Sequence, residues 1–522
     1  MDQRDILWRT VPAGAGTDDS FTVEFRLANP GEPWTQVAAP VTQLDTGVES
    51  RINHSVTLAG LDYDTQYEYR VQHFREDTIV NSYQSEFRTR LPAGNPTPFS
   101  IAAYGDSAFT SDNTGFLSVQ NRINLVDPAF TLLLGDNVYN DGTHQDLDAR
   151  FDPDIAAAAT TYNSGHVDYL AFGNHDIESG DGQPTEEHFS VPIPIAGVTA
   201  PFAPPAIERP EHNYSFDYGN VHFVTFDTNS LRDDVRLDAQ LDWGVADLNA
   251  STAQWKIVFG HHPLSGAPDS SQDPNDNYYQ QVVPRLVGAN VDLFLVGHSH
   301  TASWTYPLTG QVGGEATFVL DTDKDYEKGV GLVQVVAGTG GKSLREGDYD
   351  QFPFVVSGFS TDTNPLVENG FSQIDVTPTQ LTVSYIAADD GSVFDPFTIT
   401  DNLPPTAVSG GSLLRTPRAA GSTVFAEARS VDLGIEAATL EPGHGQDSDG
   451  LHQRDQLARV SPMAHSEQRL SMLDQAPWIG NADRFFSLLA DRDELATQEA
   501  DASRVAPDEI ELPFQRRQVF EN

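Results

Sequence analysis

Five short turns in the chain carry the side-chain types that bind metal ions in proteins. Each begins with a glycine followed by Asp, Asn or His, and they are Gly105-Asp106-Ser107-Ala108, Gly135-Asp136-Asn137-Val138-Tyr139, Gly173-Asn174-His175-Asp176, Gly260-His261-His262-Pro263 and Gly297-His298-Ser299-His300. Carboxylate, amide and imidazole groups suit iron, manganese or zinc. The chain has no cysteine, so a thiolate site is excluded. One such turn alone is typical of a polar loop, but five in order predict a metal centre.

The segments before these turns predict the elements that hold the turns together. Each is short and apolar and is expected to be a buried strand: Ser100–Tyr104, Phe130–Leu134, Tyr169–Phe172, Lys256–Phe259 and Val291–Val296. Longer stretches with helical periodicity lie between them, such as Leu231–Leu248. This alternation predicts an α/β domain. Because ligands bind beyond the carboxyl ends of strands in such sheets, we expect the turns to meet there, each bent sharply at its glycine.

The regions on either side of this α/β pattern differ from it. Residues 1–92 alternate apolar and polar side chains between Gly, Asp and Pro turns, and they predict a small all-β sandwich. A Pro/Gly-rich linker, Leu91–Pro98, follows, and we place the α/β domain at residues 97–402. Residues 403–522 predict a largely irregular acidic tail with one possible short helix at 482–496.

The charge of the chain restricts its partners. With 30 Lys+Arg against 76 Asp+Glu, the net charge is −46, which disfavours binding to nucleic acid polymers and to anionic membrane surfaces. No apolar run is long enough for a membrane span, and the N-terminus lacks the apolar core of a signal peptide. We expect an upstream segment, including a first strand of the β-sandwich, to be missing from this chain. Nothing in the sequence points to a protein partner.

In their order, the five turns resemble the motifs of the calcineurin-like metallophosphoesterase superfamily, over about Pro98 to Asp401. They are most similar to its purple acid phosphatase branch. Most members of the superfamily have a histidine where Ala108 stands, whereas the purple branch has instead a tyrosine three residues after the second aspartate, as Tyr139 follows Asp136. An N-terminal fibronectin type III-like domain also occurs in that branch, and residues 55–71 resemble such a domain.

The resemblance implies a centre of two metal ions that share one carboxylate. The first, Fe(III), would be held by Asp106, Asp136, Tyr139 and His300. The second, Fe, Zn or Mn, would be held by Asp136, Asn174, His261 and His298. By the same resemblance, His175 would bind the transition state or protonate the leaving oxygen, and Asp176 would orient its imidazole. His262 would either face the substrate or pack against Pro263.

The implied fold is a four-layer α-β-β-α sandwich, and the implied reaction is hydrolysis of a small phosphate monoester by a metal-activated hydroxide. The products would be an alcohol and inorganic phosphate. A phosphodiesterase or nucleotidase of the same superfamily is an alternative, and a non-catalytic secreted adhesion protein is another. The family habit and the β domain lead us to expect a secreted, periplasmic or cell-surface protein.

Overall fold

The computed structural model describes residues 2–10, 19–37, 41–44, 52–107, 114–151, 165, 167–191, 212–230, 234–265, 277–312, 315–347, 349, 352–359, 368–402 and 423–425. The chain divides into two compact units, Met1–Gly434 and Ile435–Asn522, and every described residue belongs to the first. Ala108 and the helix expected at 482–496 therefore lie outside the described residues.

The N-terminal region forms two four-stranded sheets. Its strands are β1 (Asp2–Thr10), β2 (Asp19–Leu27), β3 (Thr35–Gln36), β4 (Val41–Leu44), β5 (Ile52–Leu61), β6 (Gln66–Arg75) and β7 (Thr78–Arg88). One sheet has the order β3-β2-β6-β7, and the other is completed by β24 (Thr423–Phe425), which pairs in parallel with β1. Trp8 of β1 meets Phe21 of β2 with ring centroids 5.6 Å apart, so the two sheets pack face to face. The expected β domain is present.

The first large sheet has seven strands and includes three of the five predicted ones. Its strands are β8 (Phe99–Tyr104), β9 (Thr131–Leu134), β10 (Asp168–Ala171), β18 (Asp325–Glu327), β21 (Gly370–Val376), β22 (Gln380–Ala387) and β23 (Val393–Thr400), in the order β10-β9-β8-β21-β22-β23-β18. Strands β8, β9 and β10 are parallel. Their carboxyl ends, which lead into the first three turns, therefore lie at one edge.

The second large sheet has seven strands and includes the other two predicted strands. Its strands are β11 (Ser215–Tyr218), β12 (Val221–Thr225), β13 (Trp255–Phe259), β14 (Leu293–Val296), β15 (Ala302–Thr305), β19 (Val333–Ala337) and β20 (Val355–Phe359), in the order β11-β12-β13-β14-β19-β15-β20. Strands β12, β13, β14 and β19 run in parallel. A separate hairpin is formed by β16 (Leu308–Val312) and β17 (Glu315–Phe318).

Five α-helices lie in the described part of the chain. They are α1 (Thr114–Val126), α2 (His144–Phe151), α3 (Gln183–His188), α4 (Asp234–Ala250) and α5 (Asn277–Gly288). Short 3₁₀ turns occupy Gly180–Gly182 and Thr228–Ser230. Helix α4 confirms the periodicity of Leu231–Leu248. None of these helices is long and apolar enough to cross a membrane.

The two large sheets pack against each other because their strands are apolar on both faces. Tyr169 of β10 stacks on Phe216 of β11 with ring centroids 3.7 Å apart, which joins one sheet to the other. On the outer face of the second sheet, Val258 and Phe294 share a core with residues of α4 and α5. On the outer face of the first sheet, Gln120 of α1 donates a hydrogen bond to Tyr104. The layers therefore follow the expected order α-β-β-α.

Candidate metal centre

The carboxyl ends of the strands from both large sheets are joined by backbone hydrogen bonds. Gly105 N, after β8, donates to Ala337 O at the end of β19 in the other sheet (2.8 Å). Asp106 N donates to Gly135 O (3.1 Å), and Gly297 N donates to His261 O (2.9 Å). His298 N also donates to Asp106 Oδ2 (2.7 Å), and His175 N donates to Asp136 Oδ1 (2.9 Å). The five turns, which span almost two hundred residues of sequence, are therefore joined to one another.

Three of the four residues expected at the first metal position converge on the hydroxyl of the fourth, Tyr139. This oxygen lies 3.0 Å from Asp106 Oδ1, 2.9 Å from Asp136 Oδ2 and 3.1 Å from His300 Nε2. His300 Nδ1 donates to Ser343 O (3.1 Å), so the neutral ring presents the lone pair of Nε2 to the cluster. Both aspartates, Tyr139 and His300 are buried.

The four residues expected at the second position converge in the same way. Asn174 Oδ1 lies 3.3 Å from His261 Nε2 and 3.1 Å from His298 Nδ1, and these two nitrogens are 3.2 Å apart. Asp136 Oδ1 lies 3.3 Å from His261 Nε2. Since Asp136 Oδ2 faces Tyr139, the two oxygens of this carboxylate face the two positions separately. That is the geometry of a bridging ligand.

The chemistry of these donors fits a cation in each position. His261 Nδ1 donates to Leu134 O (2.8 Å), so in the neutral ring Nε2 is an acceptor, and it faces another acceptor, Asn174 Oδ1. Two acceptors that face each other are satisfied only by a hydrogen-bond donor or a positive charge placed between them. The ligand atoms of Asp106, Asp136 and His261 lie within 4.8 Å of one another. The residues present therefore fit two metal ions.

The electrostatics of the cluster show the same demand for positive charge. Burial works against a charge on His261, but Asp136 and Asp106 outweigh it and raise the pKa of His261 to about 9. Burial also opposes ionisation of Asp136, yet the positive charge and hydrogen bond of His261 hold its pKa below the usual range. At the neighbouring ring, burial and then the charge on His261 lower the pKa of His298 to about 3. The carboxylate of Asp136 thus draws in positive charge, here a proton on the His261 imidazole.

Four of the residues expected to bind metal have a backbone conformation that residues other than glycine rarely adopt. Asp106, Asp136, His298 and His300 have φ angles of 63°, 49°, 71° and 47°. Left-handed backbone at residues other than glycine costs about 1–3 kcal/mol each and persists only where the surroundings fix it. This backbone conformation turns the four side chains towards the cluster immediately after their strands end.

The expectation about the leading glycines was only partly right. Of the five, Gly135 alone has a positive φ, 81°. Two of the others, Gly173 and Gly297, are needed because a neighbouring turn approaches too closely for a side chain. A Cβ on Gly173 would collide with the backbone nitrogen of Asp136, and a Cβ on Gly297 would lie 2.6 Å from Asp106 Oδ2. These glycines allow close packing of the turns more than they allow bends.

His175 lies beside the cluster with its ring turned towards it. Its centroid is 4.5 Å from that of Tyr139, and its Nε2 is 4.0 Å from Asp136 Oδ2. Its Nδ1 donates to the carbonyl oxygen of Asn140, and a third of the side chain is exposed. The Nε2 edge is therefore available to a molecule that enters from solvent.

Asp176 does not have the contact that we expected. Its carboxylate accepts hydrogen bonds from Gly173 N (2.7 Å) and from the backbone and side-chain nitrogens of Asn137 (both 3.0 Å). The carbonyl of Asn140 holds the His175 imidazole instead. Asp176 joins the second turn to the third because its side chain points into the protein, where it is fully buried. Burial and the charge on Asp136 raise the pKa of Asp176 to about 7.

His262 lies at the edge of the second position, where its ring centroid is 4.4 Å from that of His298. The Thr228 hydroxyl accepts from the backbone nitrogens of His261 (3.2 Å) and His262 (3.0 Å). It also lies 2.9 Å from His262 Nδ1. A hydroxyl that accepts two hydrogen bonds has its own proton to donate, which goes to Nδ1. In neutral His262 the remaining proton is then on Nε2, which becomes a donor.

Lys342 is a residue of the centre that sequence reasoning missed. Its ammonium nitrogen lies 4.0 Å from the centroid of the Tyr139 ring, and its backbone nitrogen donates to Asp106 O (2.9 Å). Burial lowers its pKa to about 8, against the opposing effect of Asp136 and Asp106. It directly follows Gly338-Thr339-Gly340-Gly341 after β19, and it is one of only four lysines in a strongly acidic chain. The rarity of lysine in this chain was the signal in the sequence that could have identified Lys342.

Comparisons with known proteins agree with this geometry. The calcineurin-like phosphoesterase model matches residues 101–302, and the model described as iron/zinc purple acid phosphatase-like protein C matches residues 331–396. A purple acid phosphatase from yellow lupin (Lupinus luteus) seeds superposes with a TM-score of 0.59 at 19% identity, covering 74% of this chain and 70% of its own. This likeness shows the fold.

Two acid phosphatases are among the related sequences. An acid phosphatase of Aspergillus ficuum is 23% identical, with 63% of this chain and 58% of its own length covered. Tartrate-resistant acid phosphatase type 5 of Sus scrofa is 24% identical, with 53% and 77% covered. An uncharacterized protein of Mycobacterium tuberculosis is 25% identical, and the match spans 59% of its length. The chain thus spans under two thirds of several curated relatives, and its residues 101–302 and 331–396 are similar to the calcineurin-like phosphoesterases and to their purple acid phosphatase-like members.

Proposed function

We propose that this protein is a binuclear metal-dependent phosphomonoesterase that hydrolyses small phosphate esters to an alcohol and inorganic phosphate. The observation that carries the proposal is Asp136, whose two carboxylate oxygens face two separate groups of lone-pair donors. A structural metal site needs one closed ligand sphere, whereas two positions that share a carboxylate are typical of phosphoryl chemistry.

Two metal ions bound there would lower the pKa of a water molecule and neutralise charge on the phosphoryl oxygens. Asp106, Tyr139 and His300 would complete the first position around Asp136, and Asn174, His261 and His298 the second. We propose iron(III) for the first position, because a phenolate is a hard anionic donor, and iron, zinc or manganese for the second.

Two further histidines act on the substrate. His175 presents Nε2 to the opening, and in its protonated form it donates that proton to the departing alkoxide oxygen. His262 donates from Nε2 to a phosphoryl oxygen, because Thr228 occupies its Nδ1. The contacts of Thr228 favour this role over packing against Pro263. Asp176 keeps the second and third turns in register, so that Asp136 and His175 keep their relative positions.

The remaining assignments are proposals of the same kind. We place a fibronectin type III-like domain at residues 1–92 and the catalytic domain at 97–402. In support, Leu61 is buried, and Tyr67 is buried with its hydroxyl accepting a hydrogen bond from Asp62 N (3.0 Å). We also propose that the protein acts outside the cytoplasm, since the Aspergillus and porcine relatives are acid phosphatases.

A substrate panel tests this function. Purified protein loaded with iron and zinc is assayed with p-nitrophenyl phosphate and with bis(p-nitrophenyl) phosphate, before and after treatment with a chelator. We expect turnover of the monoester to exceed that of the diester and to be lost on chelation. Faster turnover of the diester would favour a phosphodiesterase, and hydrolysis that persists in chelated, metal-free protein would contradict the proposal.

A further inference from the structure

Lys342 is built into the metal centre from two sides. Its backbone nitrogen is fixed to the carbonyl of Asp106, and its ammonium group lies over the face of Tyr139, 4.0 Å from the ring centroid. Only 8% of the residue is exposed. A lysine that served only solubility would extend into water, so this position needs another explanation.

The glycines before Lys342 make this position possible. Gly340 N donates to Gly105 O (2.8 Å), and a Cβ on Gly340 would lie 2.5 Å from that same oxygen. Gly341 has a φ of 142°, and a Cβ there would lie 2.6 Å from Phe116 N. The chain after β19 therefore lies directly against the Asp106 turn. Lys342 is the first residue with a long side chain after β19, and its ammonium group therefore lies over the ring of Tyr139.

A cation over an aromatic face interacts with the negative charge of the ring, and the interaction strengthens when water is excluded. The effect grows if the ring belongs to a phenolate, since its negative charge is delocalised over the ring carbons. Tyr139 otherwise faces two carboxylates, Asp106 and Asp136, which disfavour such a charge. Among the residues that the structure describes, Lys342 is the side chain that places an ammonium group against this ring.

We propose that Lys342 is a positioning residue that stabilises the negative charge of the Tyr139 phenolate and so tunes its strength as a metal ligand. This inference rests on the proposed function, in which Tyr139 binds iron(III). Lys342 is not placed on the substrate, and it acts through the ring. Its effect should therefore be visible in the electronic spectrum of the centre.

The test is the phenolate-to-iron charge-transfer band of the full-length, iron-loaded protein. A nearby cation lowers the energy of the donor electrons, so the transition needs more energy. Lys342→Met has a similar length and suits a buried position but lacks the charge, and we expect its band at longer wavelength than that of the unsubstituted protein. Lys342→Arg keeps the cation, and its band should remain near the original position. Lys324→Met is the control, because Lys324 pairs with Asp395 away from the centre.

The outcomes separate this inference from the proposed function. An unchanged band in Lys342→Met would overturn the role of Lys342 while leaving Tyr139 as an iron ligand. An equal shift in Lys342→Arg would also overturn it, because packing and not charge would then be responsible. If the unsubstituted, iron-loaded protein shows no visible band, Tyr139 does not bind iron, and both the ligand assignment and the inference fall.

Discussion

His175 and Asp176 are adjacent in sequence, but their side chains point in different directions and have different hydrogen-bond partners. His175 turns outward with Nδ1 held by the Asn140 carbonyl, and a third of its side chain is exposed. Asp176 turns inward and accepts three hydrogen bonds from the second and third turns. The order of residues in a motif shows which side chains are near a site, but the backbone conformation decides where each one points.

The proposed role of His175 as a general acid predicts an effect that depends on the leaving group. In His175→Asn, we expect kcat for phenyl phosphate to fall by about 10²–10⁴-fold, the usual contribution of a general acid. The fall for p-nitrophenyl phosphate should be much smaller, since its leaving oxygen needs little protonation. The metal content should not change, because His175 is not a ligand. Equal losses for both substrates would contradict the assignment.

At the scale of elements, the centre depends on strands that end at the same edge. The apolar run before each polar turn was enough to predict β8, β9, β10, β13 and β14 within a few residues, because short apolar runs bounded by turns are characteristic of buried strands. Neither the antiparallel strands β15, β20, β21, β22 and β23 nor the position of Lys342 could be predicted. Both depend on contacts between distant parts of the chain, on which local periodicity carries no information.

The stretch after His300 shows the same limit. In the structure, Ala302–Thr305 is the buried strand β15, paired with β19 and β20. It lies inside the sheet, so substrate contacts must come from other loops.

The close approach of β19 to the Asp106 turn gives a prediction for Gly338. A Cβ there would lie 2.8 Å from both Asp106 Oδ2 and His300 N. Gly338→Ala should therefore displace two ligands of the first position and reduce both bound iron and turnover. Gly288→Ala is the matched control, because its added methyl group would meet no neighbouring atom within 4 Å. Metal analysis and a monoester assay compare them, and equal values in the two variants would contradict the packing account.

A buried histidine in the second sheet gives a prediction for stability. His222 Nδ1 lies 2.7 Å from Asp217 Oδ1, and its Nε2 lies 3.1 Å from Asp247 Oδ2. Burial opposes the charge, but the hydrogen bonds to Asp217 and Asp247 raise the pKa of His222 from 6.5 to about 9. A raised pKa stabilises the fold fully below pH 6.5 and loses that effect as the pH rises through about 9.

Urea unfolding at pH 6 and pH 10 measures this effect. A shift of this size corresponds to at most about 3 kcal/mol of the free energy of unfolding. We expect the unsubstituted protein to lose stability between the two pH values by more than Asp247→Asn does, because the variant lacks one of the two carboxylates that hold the charge. If both lose the same amount, His222 is not the group responsible.

At the scale of the whole molecule, the charge of −46 opposes the approach of an anionic substrate. In the proposed function, two bound cations would offset the charges of Asp106, Asp136 and Tyr139 locally, while the surrounding field stays negative. On this account we expect a preference for small phosphate esters of modest charge. Because the chain is so acidic, a buried lysine beside the centre, Lys342, stands out from its surroundings.

Salt dependence tests the effect of this field. For a polyanionic substrate such as a nucleoside triphosphate, kcat/KM should rise as NaCl is increased from about 10 mM to 150 mM, because the screening length falls from about 30 Å to 8 Å. The response of p-nitrophenyl phosphate should be weaker. A flat or falling response for the polyanion would mean that the global charge does not govern the encounter.

The central claim is that the five turns hold two metal ions through the shared carboxylate of Asp136. The most direct measurement is the metal content per chain of the purified protein, of Asp136→Asn and of Asp390→Asn, a control in which an exposed aspartate on a distant turn is changed. We predict about two ions per chain in the unsubstituted protein and in the control, and loss of both ions in Asp136→Asn. Two ions retained in Asp136→Asn would contradict the account.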